Sequence, residues 1–374
     1  MAREDKALTP NLVTHQPDNQ SSRSGLPADT APGASGERIA VVIPAYRVAN
    51  QIEKVLSGIP DFVERIIVVE DAGPDDTAAR VKRVTDPRVH LIRHDHNRGV
   101  GGAMKTGFAD AIDSGMDIVV KMDGDDQMDP AAMGRLLVPI VSGRADMAKG
   151  NRYHDFKSLK RMPIERIIGN AGLTFLIKMA SGYWNMFDPT NGYFAIRTDV
   201  LRRINLDRLP ERYFFESGFL IQLGIVGAVV ADVPIPARYG QELSSLSVTR
   251  TLCEFPPRLL WGMVRRIFWR YFVYDFSAVS VFLLTGLPLL VWGVRFGIKA
   301  WIQSARSGGA PATAGTVMLA AMPVIIGFQL LLQALVVDIQ NVPRVPLSSL
   351  ADRPSDPTGP QQQVANAGPD TESE

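Results

Sequence analysis

Ile118-Val-Val-Lys-Met-Asp-Gly-Asp-Asp-Gln127 passes from an apolar, β-branched run directly into oxygen-bearing side chains at alternate positions, Asp123, Asp125 and Gln127. An extended chain sends successive side chains to opposite faces, so a strand ending in this pattern would point all three the same way. Together they could hold one hard divalent cation, Mg or Mn, against a diphosphate. Two acids this close repel unless a cation sits between them. The competing reading, turn acids capping the next helix, suits Asp129 better, because Pro130 follows it and proline is favoured in a first helical turn.

Upstream, Ile39-Ala-Val-Val-Ile-Pro44 is a strand-type run, and Val48 to Ile59 has helical spacing. Val63 to Asp71 is a second strand-type run, followed by the turn-rich Ala72-Gly-Pro-Asp-Asp76 and a helix to about Val84. Val89 to Arg93 predicts a third strand, Gly102 to Ser114 a third helix and Asp117 to Met122 a fourth strand. Such alternation predicts an α/β fold, a parallel sheet covered by helices with ligands beyond the carboxyl ends of its strands. The chemically conspicuous residues fall at those ends: Pro44-Ala-Tyr46, Glu70-Asp71, His94 to Gly99 and Asp123 to Gln127.

Across 374 residues, 46% hydrophobic and 21% charged content is near the soluble average, yet charge is unevenly spread. Phe276 to Val294 and Ser307 to Val337 contain no charged residue. Crossing ~30 Å of hydrocarbon takes about 20 helical residues, so each stretch predicts a membrane helix. Residues 1–37 are polar with no apolar signal core and read as a disordered leader; 343–374, proline-rich with a Gln361-Gln-Gln363 run, read as a disordered tail. Between them the expected parts are a catalytic domain over 38–250, an interfacial segment over 251–272, and membrane helices over 273–303 and 312–338. In the interfacial segment Arg258, Arg265, Arg266 and Arg270 accompany Trp261, Trp269 and Tyr271, as anchors at a membrane surface do. Arginines before the first span and after the second (Arg344, Arg353) outnumber Arg295, Lys299 and Arg306 in the connecting loop, which favours a multi-pass protein of the inner (cytoplasmic) membrane with both ends and the large domain on the cytoplasmic side. Cys253 is the only cysteine, which excludes an intrachain disulfide and a cysteine-rich metal site.

Asp71, at a strand terminus, could accept hydrogen bonds from a nucleobase or ribose, or equally cap a turn. Asn97 to Gly107 is a glycine-rich turn entering a helix and carries Arg98 and Lys105. Backbone amides there suit phosphate, but the spacing matches neither the P-loop nor the dinucleotide fingerprint, and tight helix–sheet packing would use the same glycines. Beyond Gly150 the chain is basic, with Arg152, Lys157, Lys160, Arg161, Arg166, Lys178, Arg197, Arg202, Arg203, Arg208 and Arg212. A net charge of +1 and the lack of interleaved aromatics argue against nucleic acid and for an anionic lipid head group near the membrane.

Taken as an ordered set, Val41 to Tyr46, Val68 to Asp71, Asn97 to Phe108, Asp123 to Gln127 and Asp188-Pro-Thr-Asn-Gly-Tyr-Phe-Ala-Ile-Arg197 resemble glycosyltransferase family 2. The two apolar C-terminal stretches resemble its polyprenyl-phosphate glycosyltransferases, the group that includes dolichol-phosphate mannose synthase. The resemblance implies an A-type glycosyltransferase fold, Rossmann-like and mostly parallel, followed by a two-helix transmembrane hairpin. It also implies inverting transfer from a nucleotide-sugar to a lipid acceptor, polyprenyl phosphate, in cell-envelope polysaccharide or glycan assembly. Pro44, Tyr46 and Asp71 would then contact the nucleoside, Asp123, Asp125 and Gln127 the metal and diphosphate, and Arg152 and Arg197 the phosphates of donor or acceptor, with Lys105 on the donor side. The family often has Glu two residues after the tyrosine where this chain has Val48, which leaves a UDP or GDP donor open.

A lipid phosphate is already anionic and requires no general base, whereas a sugar hydroxyl requires one, for which Glu216 and Asp188 are the candidates. Glu216 could equally be a buried partner of an arginine. Transfer to a hydroxyl of a lipid-linked saccharide, and an idle nucleotide- or lipid-binding scaffold, are the alternatives. Homo-oligomerisation stays open.

Overall fold

The computed structural model describes residues 36–153, 164–236, 248–307 and 311–351. The leader up to 35, the tail from 352, Lys157, Lys160 and Arg161 lie outside the described residues.

The expected alternation is present. Strands β1 (Ile39–Ala45), β2 (Arg65–Glu70), β3 (Val89–Arg93) and β4 (Ile118–Lys121) are separated by helices α1 (Ile52–Ser57), α2 (Thr77–Arg83) and α3 (Gly99–Asp113). Helix α4 (Met133–Val141) and β5 (Met147–Asn151) follow, then α5 (Ile164–Ser181), β6 (Phe194–Arg197), α6 (Thr198–Arg203), α7 (Phe215–Val226) and β7 (Val230–Pro234). Among the described residues, seven strands form one sheet in the order β3-β2-β1-β4-β6-β5-β7. All pairings are parallel except those of β6, which runs antiparallel between β4 and β5.

Period-two alternation builds two apolar layers on this sheet. Along β1, Ala40 and Val42 face the layer completed by Phe108 of α3 and Phe215 and Phe219 of α7, while Ile39, Val41 and Ile43 face that of α1 and α4. A fully buried side chain of this size contributes about 1.5–3 kcal/mol, so strands apolar on both faces are held firmly in register.

Helix α8 (Val248–Phe268) continues into one π-helical segment (Trp269–Tyr274), then into α9 (Ala278–Arg306) and α10 (Ala314–Gln340). Both α9 and α10 are long and apolar enough to cross a bilayer, with only 11% of each apolar window buried. They approach closely at Gly286, Gly293 and Gly327: a Cβ on Gly327 would lie 2.7 Å from the Gly286 carbonyl. Small residues let helix backbones approach this closely.

Among the described residues, a buried ion pair fastens the hairpin to the domain. Arg266 of α8 donates to both carboxylate oxygens of Asp338 at 2.7 and 2.9 Å and to the Ala180 carbonyl at 3.0 Å. The Tyr271 hydroxyl donates to Asp338 at 2.6 Å and the Trp184 indole at 3.3 Å. Gly224 on α7 leaves room for this seam, because a Cβ there would overlap the Ser181 carbonyl oxygen and touch Arg266. Gly224→Ala is expected to destabilise the protein by about 1–3 kcal/mol, read as a lowered thermal midpoint of the detergent-solubilised chain. An unchanged midpoint would show that the α7–α5 contact is looser than described.

Candidate active site

Among the described residues, only Arg47, Ala72 and Asp126 are non-glycine residues at positive φ, at 58°, 52° and 62°. Each lies just beyond the carboxyl end of a strand, of β1, β2 and β4 respectively. Such backbone is costly and collects where side chains must be aimed, so this edge of the sheet is built for function.

The acidic segment reaches its position differently from the sequence expectation. Strand β4 stops at Lys121, and Asp123 to Asp126 form a turn, so period-two alternation does not align the three side chains. The turn brings them together instead: Asp123, Asp125 and Gln127 all line one cleft of about 270 Å³. Asp125 Oδ1 accepts from the Gln127 amide at 3.1 Å, which closes the turn, and Asp126 points away to pair with Lys54. Asp129 caps the following 3₁₀ turn at Pro130, accepting from the Ala131 amide at 3.1 Å.

The same cleft is lined by Arg152, from the end of β5, and Glu216, in the first turn of α7. Arg152 holds Asp188 in a two-pronged pair, Nε to Oδ2 at 2.8 Å and Nη2 to Oδ1 at 3.2 Å, and Thr190 adds a third donor. Asp188 is 0% exposed and engaged with Arg152, whose guanidinium it orients. Glu216 keeps contact with the cleft at 18% side-chain exposure.

Two buried lysines, to which the sequence reading assigned no role, support this wall. Lys121 Nζ lies 2.7 Å from Asp123 and 3.6 Å from Glu216 and is 1% exposed. Burial disfavours its charge, but the two carboxylates outweigh that cost and its pKa is raised. Lys149 donates to the Asn191 carbonyl; burial pushes its pKa down to about 8 against the pull of Glu216 and Asp188. Gly192 packs against the Lys121–Asp123 pair, where a Cβ would lie 2.5 Å from the Lys121 ammonium and 3.0 Å from Asp123 Oδ2. The available signal was a lysine inside an otherwise apolar strand, directly before the acids.

Several expected residues stand elsewhere. Asp71 is buried at the end of β2, and its oxygens accept from the amides of Arg98 (2.9 Å) and Gly99 (2.7 Å) and lie 2.7 Å from His94 Nδ1. The next amides, of Gly101 and Gly102, donate to the Glu211 carbonyl at 2.7 and 3.1 Å. The glycine-rich turn is therefore committed to packing, and its first amides are not aimed at a phosphate. Lys105 follows it, donating to the Asp207 carbonyl at 3.1 Å outside the cleft lining. Pro44 is the penultimate residue of β1, and Tyr46 just beyond the strand is 42% exposed with the Arg47 guanidinium 5.3 Å above its ring.

Arg197 is carried to the opposite edge of the sheet. Strand β6 is antiparallel, so Phe194 pairs with Lys121 at the cleft end of β4 whereas Arg197 pairs with Ile118 at its start. There it pairs with Glu37 at 2.8 Å.

The donor set fits a shared rather than a resident cation. Among the described residues, no three His, Cys, Asp or Glu side chains form a metal cage. Two carboxylates and an amide oxygen are what a Mg-type ion uses when substrate phosphates complete its shell.

Residues 40–204 match the model of the glycosyl transferase family 2. The undecaprenyl-phosphate mannosyltransferase of Micrococcus luteus is 31% identical over 53% of this chain and 82% of its own. The UDP-N-acetylglucosamine–dolichyl-phosphate N-acetylglucosaminyltransferase of Methanococcus voltae is 29% identical over 54% of this chain and 86% of its own. A looser likeness, too distant to bear on chemistry, is to the Mycobacterium tuberculosis glucosyl-3-phosphoglycerate synthase solved with UDP: 20% identity, TM-score 0.47, covering 65% of this chain and 85% of that one. The motifs, their order and these relatives agree: the chain belongs to glycosyl transferase family 2.

Proposed function

We infer that the protein moves a sugar from a nucleoside-diphosphate donor to the phosphate of a polyprenyl lipid at the cytoplasmic face of the inner membrane. The observation that carries this reading is the convergence of two carboxylates, an amide oxygen and a guanidinium in one cleft at the carboxyl edge of the sheet. Asp123, Asp125 and Gln127 would hold Mg or Mn, which when bound supplies charge neutralisation to the departing diphosphate. Arg152, locked by Asp188, presents a fixed cation to the phosphate of donor or acceptor. Tyr46 and Pro44 stand at the strand end where a nucleoside would lie, and the donor is of UDP or GDP type. An acceptor phosphate is already an anion, so these residues have only to position it opposite the leaving group.

The catalytic unit comprises residues 38–250, the interfacial part 251–272, and α9 and α10 anchor it as two spans. Exposed Trp261 and Phe268 on α8 are of the kind that rest at a headgroup boundary.

Purified protein incubated with labelled nucleotide-sugars and polyprenyl phosphate is expected to yield a metal-dependent, mild-acid-labile lipid product. Absence of any metal-dependent product across the donor panel would overturn the reading. The variant Glu216→Gln separates the two acceptor chemistries. With a phosphate acceptor kcat is expected to change by less than about tenfold; a loss of about 10²–10⁴ would instead mean that Glu216 serves as base to a hydroxyl.

A further inference from the structure

A second cleft, of about 800 Å³, opens where the hairpin meets the domain. Its walls carry Arg203 from the end of α6, Arg270 and Tyr274 from the π-helical segment, and Arg344 just past α10, against a single acid, Asp275. No residue is shared with the cleft described above. Strand direction separates the two: Arg203 follows β6 away from the Asp123 edge, and Val226, also in the wall, precedes the start of β7. This cleft therefore lies at the amino edge of the sheet, away from the sugar-transfer chemistry.

Arg270 is held in place from both sides, donating to the Gly224 carbonyl at 3.3 Å and to the Asn341 carbonyl at 3.2 Å. A guanidinium has five N–H donors, so one anchored on two carbonyls keeps others for a ligand. Arg203 and Arg344, in the same lining, stand exposed. Position fixes the chemistry further: Asp275 precedes α9 by three residues, and Asn341 directly follows α10. The cleft thus sits level with the polar ends of two apolar helices, with Tyr274 beside it as interfacial tyrosines lie.

We propose that this cleft binds the phosphodiester head group of an anionic phospholipid, distinct from the acceptor lipid. Three guanidiniums meet the phosphate while the acyl chains run along the exposed apolar sides of α9 and α10. Basic pockets at the cytoplasmic ends of membrane helices recognise anionic lipids in this way. The assignment rests on the reading that α9 and α10 cross the membrane.

The full-length protein would be reconstituted in phosphatidylcholine nanodiscs containing phosphatidylglycerol of the same acyl chains, and retained lipid counted by native mass spectrometry. Wild type is expected to retain phosphatidylglycerol preferentially. Arg203→Gln combined with Arg344→Gln is expected to weaken that retention about 30-fold, the loss expected for two neutralised arginines at a charged surface. The lysine pair, Arg203→Lys with Arg344→Lys, should keep most of it, and Arg295→Gln with Lys299→Gln at the far end of α9 should leave it unchanged. Equal retention of both lipids by wild type, or undiminished retention by the glutamine pair, overturns the proposal. Inorganic phosphate displacing phosphatidylglycerol with equal affinity would reassign the cleft to a soluble anion and overturn it too. Retention is read without sugar donor or acceptor, so its outcome is independent of whether transfer is observed.

Discussion

Asp125→Asn is expected to lower sugar transfer about 10²- to 10³-fold while leaving the fold intact, the scale of loss when one group stabilising transition-state charge is removed. Asp125 is half-buried in the wall of the cleft, and its known backbone partner is the Gln127 amide, which an asparagine oxygen accepts equally well. The turn should therefore survive, so the substitution subtracts one negative charge from the cation's protein ligands. Two measurements separate the readings. The thermal midpoint should stay near wild type, and the Mn or Mg concentration needed for half-maximal activity should rise. Undiminished turnover with an unshifted metal dependence would remove the basis for the metal assignment, because the remaining acid and amide could not alone account for both.

Lys121→Met is expected to destabilise the protein by about 3 kcal/mol, at the lower end of what breaking a buried ion pair costs. The lysine is 1% exposed, and its ammonium is the cation between Asp123 and Glu216. Methionine matches its volume, so little of the loss is a packing effect; what remains is two carboxylates facing one another beside an apolar sheet. Both keep some access to water, at 31% and 18% side-chain exposure, which holds the cost at the lower end. For a domain of this size the thermal midpoint should fall by about 6–12 °C. Adding Asp123→Asn should recover part of the loss, since neighbouring charges are not additive. A single variant melting with wild type would show that the two acids do not depend on this lysine.

The strand and helix order up to β4, the apolar hairpin and the acidic cluster were legible because each is local. Burial on both faces writes β-branched runs at β1, β2 and β4, and an uncharged apolar length of about 20 residues writes a helix long enough to cross a bilayer. The Asp129-Pro130 cap was legible for the same reason. Site membership was only partly so. Asp123, Asp125, Gln127, Arg152 and Glu216 share a cleft as expected, but Asp188 is spent on Arg152, and Lys105 is turned toward the 207–211 loop.

The motif from Asp188 to Arg197 shows where reading along the chain fails. Its Thr190 to Tyr193 line the candidate cleft and its last residue stands at the far edge of the sheet, because β6 is antiparallel. Strand direction is a property of pairing between distant segments, and a period-two pattern is the same in either direction. By itself the sequence determined the apolar strands of the first half, the two long apolar helices and which chemistry was available. Only the tertiary structure decided which edge of the sheet each charge reaches, placing Lys121 between two acids and Arg203 beside Arg270 and Arg344. The physical reason is that burial is recorded residue by residue, whereas proximity between charges comes from long-range pairing and packing that no local pattern encodes.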